Sequence, residues 1–302
     1  MQLSIAWWNT SLSPVKASTR ATVKDQRIAA RVIELLGTEM DVDIICLGEV
    51  SEADVTRLLK LPCLKDYEVF NGTEKAGRSR FDVCVFFKRG AMRKSASKQL
   101  LMFSGESVLK VGQRIDLDLV DDETRLHIFI SHWPSRLMCD EHHVDRHTLG
   151  IYLRSAVTDA LGEDHSGHAI VLGDFNDEPF SPSLHNHLMA SRDRNLVATR
   201  KPHLLYNPFW KHVAPSTAEP GPESDALWRG GSHHYGAGQL SRWHMYDQII
   251  FSSAFLGRSS WMLQDETAGV VDFPPFTGLV LNKKSKFDHM PVVATIARKK
   301  NG

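Results

Sequence analysis

Residues 173–177, Gly-Asp-Phe-Asn-Asp, decide the predicted fold, and they follow the apolar run His168-Ala169-Ile170-Val171-Leu172. An apolar run of this length, bounded by a turn signal, is typical of a buried strand. Such a strand would end by presenting Asp174 and Asn176 on one face, because side chains two residues apart point the same way. The pattern therefore predicts a strand end that carries chemistry.

Similar polar groups follow other apolar runs. They lie in Trp7-Trp8-Asn9, in Leu47-Gly48-Glu49-Val50, and in Phe287-Asp288-His289-Met290-Pro291. Strand ends with carboxylates, an amide and a histidine can build an oxygen-rich pocket for a hard cation and a phosphate. Each motif alone has a structural alternative, since a lone Asp at a strand end is most often a turn residue or a helix cap.

The residue types favour Mg²⁺ or Mn²⁺ over Zn²⁺, because the acids and amides occur without a Cys or multi-His cluster. Glu49 and Asp288 are the candidate metal ligands. Asn9 could offer an oxygen to the metal or an amide N–H to a phosphate. Asp174 could position an attacking water or a second cation, with Asn176 beside it.

Two histidines are candidates for charge stabilisation or proton transfer. His132 and Arg136 lie in Ser-His-Trp-Pro-Ser-Arg (131–136), and an imidazole and a guanidinium suit the charge of a phosphoryl transition state. His289 is the second candidate. Asp247 could orient one of these histidines and raise its pKa, which suits a protonated role.

The composition predicts a globular protein without a polybasic coat. The chain has 302 residues, 42% of them hydrophobic, and 36 basic residues balance 36 acidic ones. Zero formal charge argues against a protein that coats nucleic acid, although it allows a local basic groove. Lys75, Arg78 and Arg80 form one basic cluster, for which a solvated loop is the alternative.

The sequence shows no signal peptide and no stretch near the ~20 apolar residues of a membrane span, so the expectation is a soluble cytoplasmic protein. The widely spaced cysteines predict neither a zinc site nor a disulfide framework. Residues 1–302 are expected to form one mixed α/β domain. Its helices include one at about 143–161 and an earlier one that ends at Gly37, while residues 200–243 are expected to be loops and short strands.

The order of these motifs resembles the endonuclease/exonuclease/phosphatase superfamily, which includes deoxyribonuclease-I-like nucleases. The resemblance spans about residues 3–297, and the His-Trp-x-Ser-Arg pattern is similar to a bacterial branch. It implies a four-layer α/β/β/α sandwich of two packed mixed sheets flanked by helices. It also implies Mg²⁺- or Mn²⁺-dependent phosphoester hydrolysis by an activated water.

The resemblance assigns roles by position. Glu49 matches the main metal ligand and Asn9 its neighbour, while Asp174 and Asn176 match the pair that orients the nucleophile and holds the phosphate. The remaining matches are His132 as the phosphate-contacting histidine with Asp247 as its partner, His289 as the terminal histidine with acid Asp288, and Arg114 as a strand-start arginine. A phosphate-contacting Tyr or Arg of the middle strands has no clear counterpart, and Arg78 or Arg80 is the candidate.

The sequence thus predicts a metal-dependent phosphodiesterase, most simply a nuclease acting on DNA or RNA. One alternative is an enzyme for a phosphorylated small molecule or lipid head group, and another is a non-catalytic binding module of the same fold. Aromatic residues at 210, 228, 235 and 243, with His233, His234 and Arg242, could form a strand-binding rim. Closure of a loop-rich region is an equally good explanation for these aromatics.

Overall fold

Two large mixed β-sheets form the centre of the fold. The computed structural model describes residues 1–14, 20–77, 79–104, 107–120, 122–214 and 230–299. The strands, in chain order, are β1 (Gln2–Asn9), β2 (Ile44–Gly48), β3 (Tyr67–Asn71), β4 (Lys75–Ala76), β5 (Ser79–Arg80), β6 (Cys84–Lys88), β7 (Met92–Ser104), β8 (Ser107–Leu119), β9 (Arg125–His132), β10 (His168–Asp174), β11 (Ala190–Ser191), β12 (Leu205–Tyr206), β13 (His233–His234), β14 (Trp243–His244), β15 (Asp247–Ser252), β16 (Trp261–Val270) and β17 (Val292–Arg298).

Helices connect and cover the strands. The α-helices are α1 (Val23–Glu34), α2 (Glu52–Leu58), α3 (Val144–Leu161) and α4 (Pro274–Val280). Shorter helical segments lie at Leu35–Glu39, Pro62–Leu64, Ser183–His187, Leu196–Arg200, Pro208–His212 and Ser253–Phe255. Within the described ranges, no helix combines the length and the apolar character that crossing a membrane requires.

Both large sheets mix parallel and antiparallel pairs. One holds six strands in the order β16-β17-β1-β2-β6-β3, and the other holds seven in the order β11-β12-β15-β10-β9-β8-β7. In the first, β1 runs parallel to β2 and antiparallel to β17. In the second, β10 runs parallel to β9 and antiparallel to β15. The predicted mixed α/β pattern is therefore confirmed.

Side chains along the central strands alternate between an inner and an outer core. Trp7 of β1 and Leu172 of β10 point into the core between the two sheets. Their neighbours Trp8 and Val171 point outward, Trp8 toward α1, α2 and α4, and Val171 toward α3. Helix, sheet, sheet and helix thus stack as four layers, which confirms the expected sandwich.

The long helix lies where its periodicity predicts it. Helix α3 begins after His143, whose Nδ1 accepts a hydrogen bond from the Asp145 N–H at 3.2 Å and so caps the first turn. The predicted end of the earlier helical run at Gly37 is wrong, because the chain continues through a helical turn at Leu35–Glu39. Leu35 and Leu36 are buried there, and their packing outweighs the low helix propensity of glycine.

Candidate active site

The polar strand ends meet at one edge of the sandwich. Asn9 ends β1 beside β2, after which Glu49 follows. In the other sheet Asp174 of β10 pairs in register with His132 of β9 on one side and with Asp247 of β15 on the other. Because parallel neighbours end at the same edge, the fold itself brings these distant segments together.

A cavity of about 280 Å³ opens at this edge. Most of the residues that the sequence singled out line it, and Asp247 lies buried behind His289. The lining residues are Asn9, Glu49, His132, Ser135, Arg136, Leu137, Asp174, Asn176, His233, Tyr235, His244, Tyr246, Asp288 and His289.

Asp174 lies at the centre of the polar contacts. Its Oδ1 accepts a hydrogen bond from the Asn176 N–H at 2.9 Å, and its Oδ2 accepts one from Asn9 Nδ2 at 3.0 Å. The same Oδ2 lies 3.6 Å from His289 Nε2 and 4.0 Å from His132 Nε2. One carboxylate oxygen therefore faces two imidazoles, which is suitable for a site that binds and orients a small polar reactant.

The amides of Asn9 and Asn176 both hold protein groups. Asn9 Oδ1 accepts a hydrogen bond from the Ser11 N–H at 3.1 Å, so its Nδ2, not the oxygen expected of a metal ligand, faces Asp174 and Glu49. Asn176 donates its side-chain N–H to the Trp133 carbonyl at 3.0 Å. Asn176 thus fixes the strand end instead of offering that N–H to a phosphate.

Glu49 is a half-buried carboxyl group with few hydrogen-bonding partners. Its Oε1 lies 3.4 Å from Asn9 Nδ2 and 4.0 Å from His132 Nε2. Burial raises the pKa of Glu49, and the two site histidines only partly offset this. The backbone at Glu49 is left-handed, with φ of 52°, a conformation that costs a non-glycine residue about 1 kcal/mol or more. Strain and desolvation together mark this position as a cation-binding candidate.

Asp288 lies at the mouth of the cavity, with its side chain 50% exposed. Its Oδ1 accepts a hydrogen bond from Ser11 Oγ at 3.2 Å, and its Oδ2 lies 3.7 Å from His233 Nε2. Burial opposes ionisation, but His233 and His289 outweigh it and lower the pKa of Asp288 to about 2. Asp288 is therefore an ionised oxygen donor in the cavity that Glu49 also lines.

His132 is held by Asp82, not by the predicted Asp247. The Nδ1 of His132 lies 2.9 Å from Asp82 Oδ2, which leaves Nε2 facing the cavity. Burial disfavours the charged ring, but the Asp82 carboxylate outweighs this and raises the pKa of His132 to about 9. The imidazole is thus a charged donor at neutral pH.

His289 is the histidine that Asp247 orients. Its Nδ1 lies 2.7 Å from Asp247 Oδ2, and both side chains are buried. Trp7 Nε1 donates to Asp247 Oδ1 at 2.7 Å, and Ser232 Oγ donates to Oδ2 at 2.7 Å. Burial opposes the charged ring, but Asp247 and Asp174 raise the pKa of His289 well above its ordinary value. The predicted pairing of Asp247 with one site histidine is confirmed.

The candidate arginines do not all lie at the cavity. Arg114 binds Asp116 through both ends of its guanidinium, at 2.7 and 2.9 Å, and lies 3.0 Å from His127 Nδ1. Its neighbour Ile115 points into the inner core, so Arg114 points to the outer face and away from the cavity. The structure therefore does not bring Arg114 to the cavity with the other candidate residues.

The other basic candidates occupy different places. Arg136 lines the cavity. Arg80 lies in the β4–β5 hairpin and donates to the Thr73 carbonyl at 3.1 Å. Arg78 lies outside the described residues, as does Trp228 of the predicted aromatic rim.

Sequence reasoning missed His244 and Tyr246 of the cavity wall, and it placed His233 only in the possible strand-binding rim. His244 Nδ1 lies 3.0 Å from Glu178 Oε1, and its ring stacks on Tyr246 at 4.9 Å. His233 also stacks on Tyr246, at 5.1 Å, and forms a backbone bridge with His289. No spacing signal joins these residues. Two of the histidines lie in the Gly- and His-rich stretch before Asp247, which composition alone could flag.

In the part of the chain that the structure describes, two clusters have ligand atoms close enough to hold a metal ion, and they share His289. One comprises Asp174, Asp247 and His289, and the other comprises His233, Asp288 and His289. In the first, the Asp247–His289 hydrogen bond already accounts for the proximity. Glu49 and Asp288 instead offer carboxyl oxygens at the cavity surface, the donor type that Mg²⁺ and Mn²⁺ prefer. The residues present therefore fit a hard divalent cation.

Comparisons with known proteins agree on the fold. A family model described as "Endonuclease/Exonuclease/phosphatase family" matches residues 15–293. The human Nocturnin catalytic domain with a bound sulfate anion is 16% identical, with a TM-score of 0.61 over 99% of this chain and 95% of that chain. A search of curated proteins finds no match.

Two further solved structures have different substrates in their descriptions. D. rerio TDP2, complexed with a single-strand DNA product, is 14% identical, with a TM-score of 0.60 over 98% of this chain and 99% of that chain. A mannosyl-6-phosphatase from Bacteroides thetaiotaomicron is 15% identical, with a TM-score of 0.62 over the same shares. At these identities the similarity shows the fold and leaves the substrate open.

Proposed function

The chain belongs to the endonuclease/exonuclease/phosphatase family, and we propose that it is a divalent-metal-dependent phosphodiesterase that hydrolyses nucleic acid. The observation that carries this proposal is the pair of histidine–carboxylate couples that face one oxygen of Asp174 in a single cavity. Two charged donors opposite a carboxylate suit in-line attack of water on phosphorus. The carboxylate orients the water, and the donors bind the oxygens on which charge develops.

In the proposed reaction Asp174 aligns the attacking water and accepts its proton. Asn9 Nδ2 and the Asn176 N–H hold the carboxylate, so its orientation is set before substrate binds. His132 and His289 present Nε2 to the cavity because Asp82 and Asp247 occupy their Nδ1 atoms. Each protonated Nε2 can donate to a phosphoryl oxygen or to the leaving group.

Glu49, with Asp288 close by, would hold the divalent cation. When bound, Mg²⁺ or Mn²⁺ supplies positive charge for the phosphoryl oxygens. Glu49 and Asp288 supply oxygens to the cation, while Asn9 supplies an N–H that holds Glu49 and Asp174 in place.

Glu49→Gln is predicted to raise the Mg²⁺ concentration needed for half-maximal activity by about tenfold or more, because it removes the charge but keeps the shape. The measurement is a Mg²⁺ titration of activity, together with calorimetric titration of Mg²⁺ into the protein. Glu52→Gln, an exposed change on α2, is the matched control and should leave both titrations unaltered. Equal Mg²⁺ requirements in Glu49→Gln and the parent would remove Glu49 from the metal site.

A second cavity supports a polynucleotide substrate. It has a volume of about 530 Å³, and its lining includes Arg20, Lys75, Arg80 and Asp82. Asp82 is the partner of His132, so this basic cavity adjoins the reaction site. Basic side chains beside the scissile phosphate can bind the neighbouring phosphates of a chain, whereas a substrate with one phosphate gains nothing from them.

The double variant Lys75→Ala/Arg80→Ala is predicted to raise the KM for a 20-nucleotide strand by roughly tenfold at physiological salt. It should also reduce the slope of log KM against log salt by about 1–2, since up to two phosphate contacts are lost. Activity on a mononucleotide nitrophenyl diester should not change. Lys24→Ala/Arg27→Ala, two exposed residues of α1, is the matched control. An unchanged KM and salt slope would argue against this polynucleotide path.

The most direct test is a cleavage panel of labelled DNA, RNA and phosphorylated small molecules with Mg²⁺, with and without chelator. A nuclease should lose activity as oligonucleotides shorten. The second candidate is an enzyme for a phosphorylated small molecule or lipid head group, and the zero formal charge of the chain favours it. Hydrolysis of such compounds, without cleavage of DNA or RNA, would establish this second function. Absence of hydrolysis and of metal binding would leave a non-catalytic binding module.

A further inference from the structure

Two arginines hold the turn that follows Asp174. Arg136 Nε donates to the Asn176 carbonyl at 3.0 Å, and Arg146 Nη1 donates to the Phe175 carbonyl at 3.2 Å. These carbonyls belong to the two residues that directly follow the central carboxylate. The peptide after Asp174 is therefore fixed from two sides by cationic side chains that come from outside its own strand.

Asp177 joins the two arginines. It is 1% exposed, and its Oδ1 accepts from Arg136 Nη2 at 3.1 Å, while its Oδ2 lies 3.5 Å from Arg146 Nη1. Ser183 also donates to Oδ2. A buried carboxylate between two guanidinium groups orders both of them, because losing it would leave buried positive charge uncompensated.

Four hydrogen bonds within the protein use most of the five N–H donors of Arg136. Besides Asn176 and Asp177, it donates to Glu141 Oε2 at 3.1 Å and to Ser181 Oγ at 3.2 Å. Its Cζ lies 5.3 Å from the centre of the Tyr246 ring. A guanidinium with each of its three nitrogens engaged has little left to offer a phosphate. The role predicted from the sequence, direct phosphate binding by Arg136, therefore does not fit its contacts.

The 175–177 turn holds the carboxylate of Asp174 through the N–H of Asn176. The N–H of Asn176 belongs to the Phe175–Asn176 peptide and donates to Asp174 Oδ1, and Asn176 itself has a left-handed backbone with φ of 50°. Without the arginines, the Phe175–Asn176 peptide could rotate and release that bond. A displacement of about 1 Å at a reacting group can cost on the order of 10²-fold in rate.

We propose that Arg136 and Asp177 are positioning residues, which hold the 175–177 turn so that Asp174 faces its water, and that Arg136 does not bind substrate. This role rests on the proposed function, since Asp174 must act on a phosphodiester for kinetics to report it. The conformation of the turn can nevertheless be measured without any activity.

The kinetic test compares Arg136→Lys, Arg136→Ala and Asp177→Asn on a mononucleotide nitrophenyl diester. Each is expected to lower kcat by about 10- to 100-fold, with KM within about twofold of the parent. Lysine keeps the charge but cannot bridge Asn176, Asp177 and Ser181 together, so it should fail to rescue. Glu141→Gln, which removes only an exposed partner of Arg136, is the matched control and should keep parental kcat.

The second readout is amide hydrogen exchange of the peptide that contains Phe175 and Asn176. Both Arg136 variants should exchange faster there than the parent, and Glu141→Gln should not. If Asp177→Asn fails to fold, the two Arg136 variants still decide the matter. If the parent hydrolyses no phosphodiester, the proposed function falls, while the exchange data still test the positioning role.

Three results would overturn the proposal. One is a raised KM with unchanged kcat in Arg136→Ala, which would make Arg136 a substrate ligand. Another is recovery of parental kcat in Arg136→Lys, which would show that charge alone suffices. The third is unaltered exchange at Phe175 and Asn176 in both Arg136 variants.

Discussion

Asp174→Ala is expected to lower phosphodiester hydrolysis by roughly 10²–10⁴-fold, because it removes the group that orients and deprotonates water. The fold should survive. The variant loses the bonds from Asn9 Nδ2 and the Asn176 N–H, worth about 1–3 kcal/mol each if left unpaired, against a total stability of about 5–15 kcal/mol for a typical domain. Single-turnover kinetics with a labelled oligonucleotide measures the loss, and circular dichroism confirms the fold.

Asp159→Ala, an exposed change on α3, controls for the substitution itself and should retain full activity. A second comparison is Asp174→Asn, which keeps the shape but cannot accept the proton. It should be nearly as inactive as the alanine variant. If Asp174→Ala hydrolysed substrate as fast as the parent, another residue would have to orient the water, and the central position of Asp174 would be structural.

The sequence allows one to predict that the site residues lie together. Apolar runs end at Asn9, Glu49, His132 and Asp174, and neighbouring strands of a mixed sheet bring such ends to one edge. The order of the motifs then identified the family. The strand β10, His168–Asp174, extends two residues beyond the apolar run 168–172 because Gly173 and the terminal Asp174 also pair with the neighbouring strands.

The partners of the histidines could not be derived in the same way. Asp82 lies 50 residues before His132, and their contact depends on how the two sheets pack together. The resemblance favoured Asp247 as the partner, but Asp247 lies at 2.7 Å from His289 instead. The sequence did indicate that Asp82 is unusual, since it is the one charged residue inside the apolar run 81–87. A buried carboxylate needs a partner, although sequence does not say which.

The sequence also does not show which face of a strand points toward the site. Alternation in β8 places Arg114 and Ile115 on opposite faces, but either face could have been the one that reaches the site. Only the packing of Ile115 between the sheets decides that Arg114 points outward. The contacts of Arg136 could not be predicted either. An arginine suits phosphate by residue type, but Arg136 contacts Asp177 and Glu141, which lie in loops without a periodic pattern.

Breaking the Asp247–His289 couple is the second change with a large expected effect. His289→Gln and Asp247→Asn should each lower kcat by roughly 10²–10⁴-fold. The first removes the imidazole that faces Asp174 at 3.6 Å. The second removes the carboxylate that fixes Nδ1 and favours the charged ring, so the donor at Nε2 is weakened. Steady-state kinetics of both variants and of the double variant measures these effects.

The double variant tests whether the couple acts as a unit. If Asp247 works through His289, the double variant should be about as slow as the slower single variant, because the second change removes nothing more. Asp116→Asn is the matched control, since Asp116 holds His127 at 2.8 Å in a similar pair outside the cavity. It should lower the free energy of unfolding and leave kcat unchanged. Multiplicative losses in the double variant would show that Asp247 and His289 contribute separately, and Asp247 would then act through the Trp7 and Ser232 contacts that order the strand end.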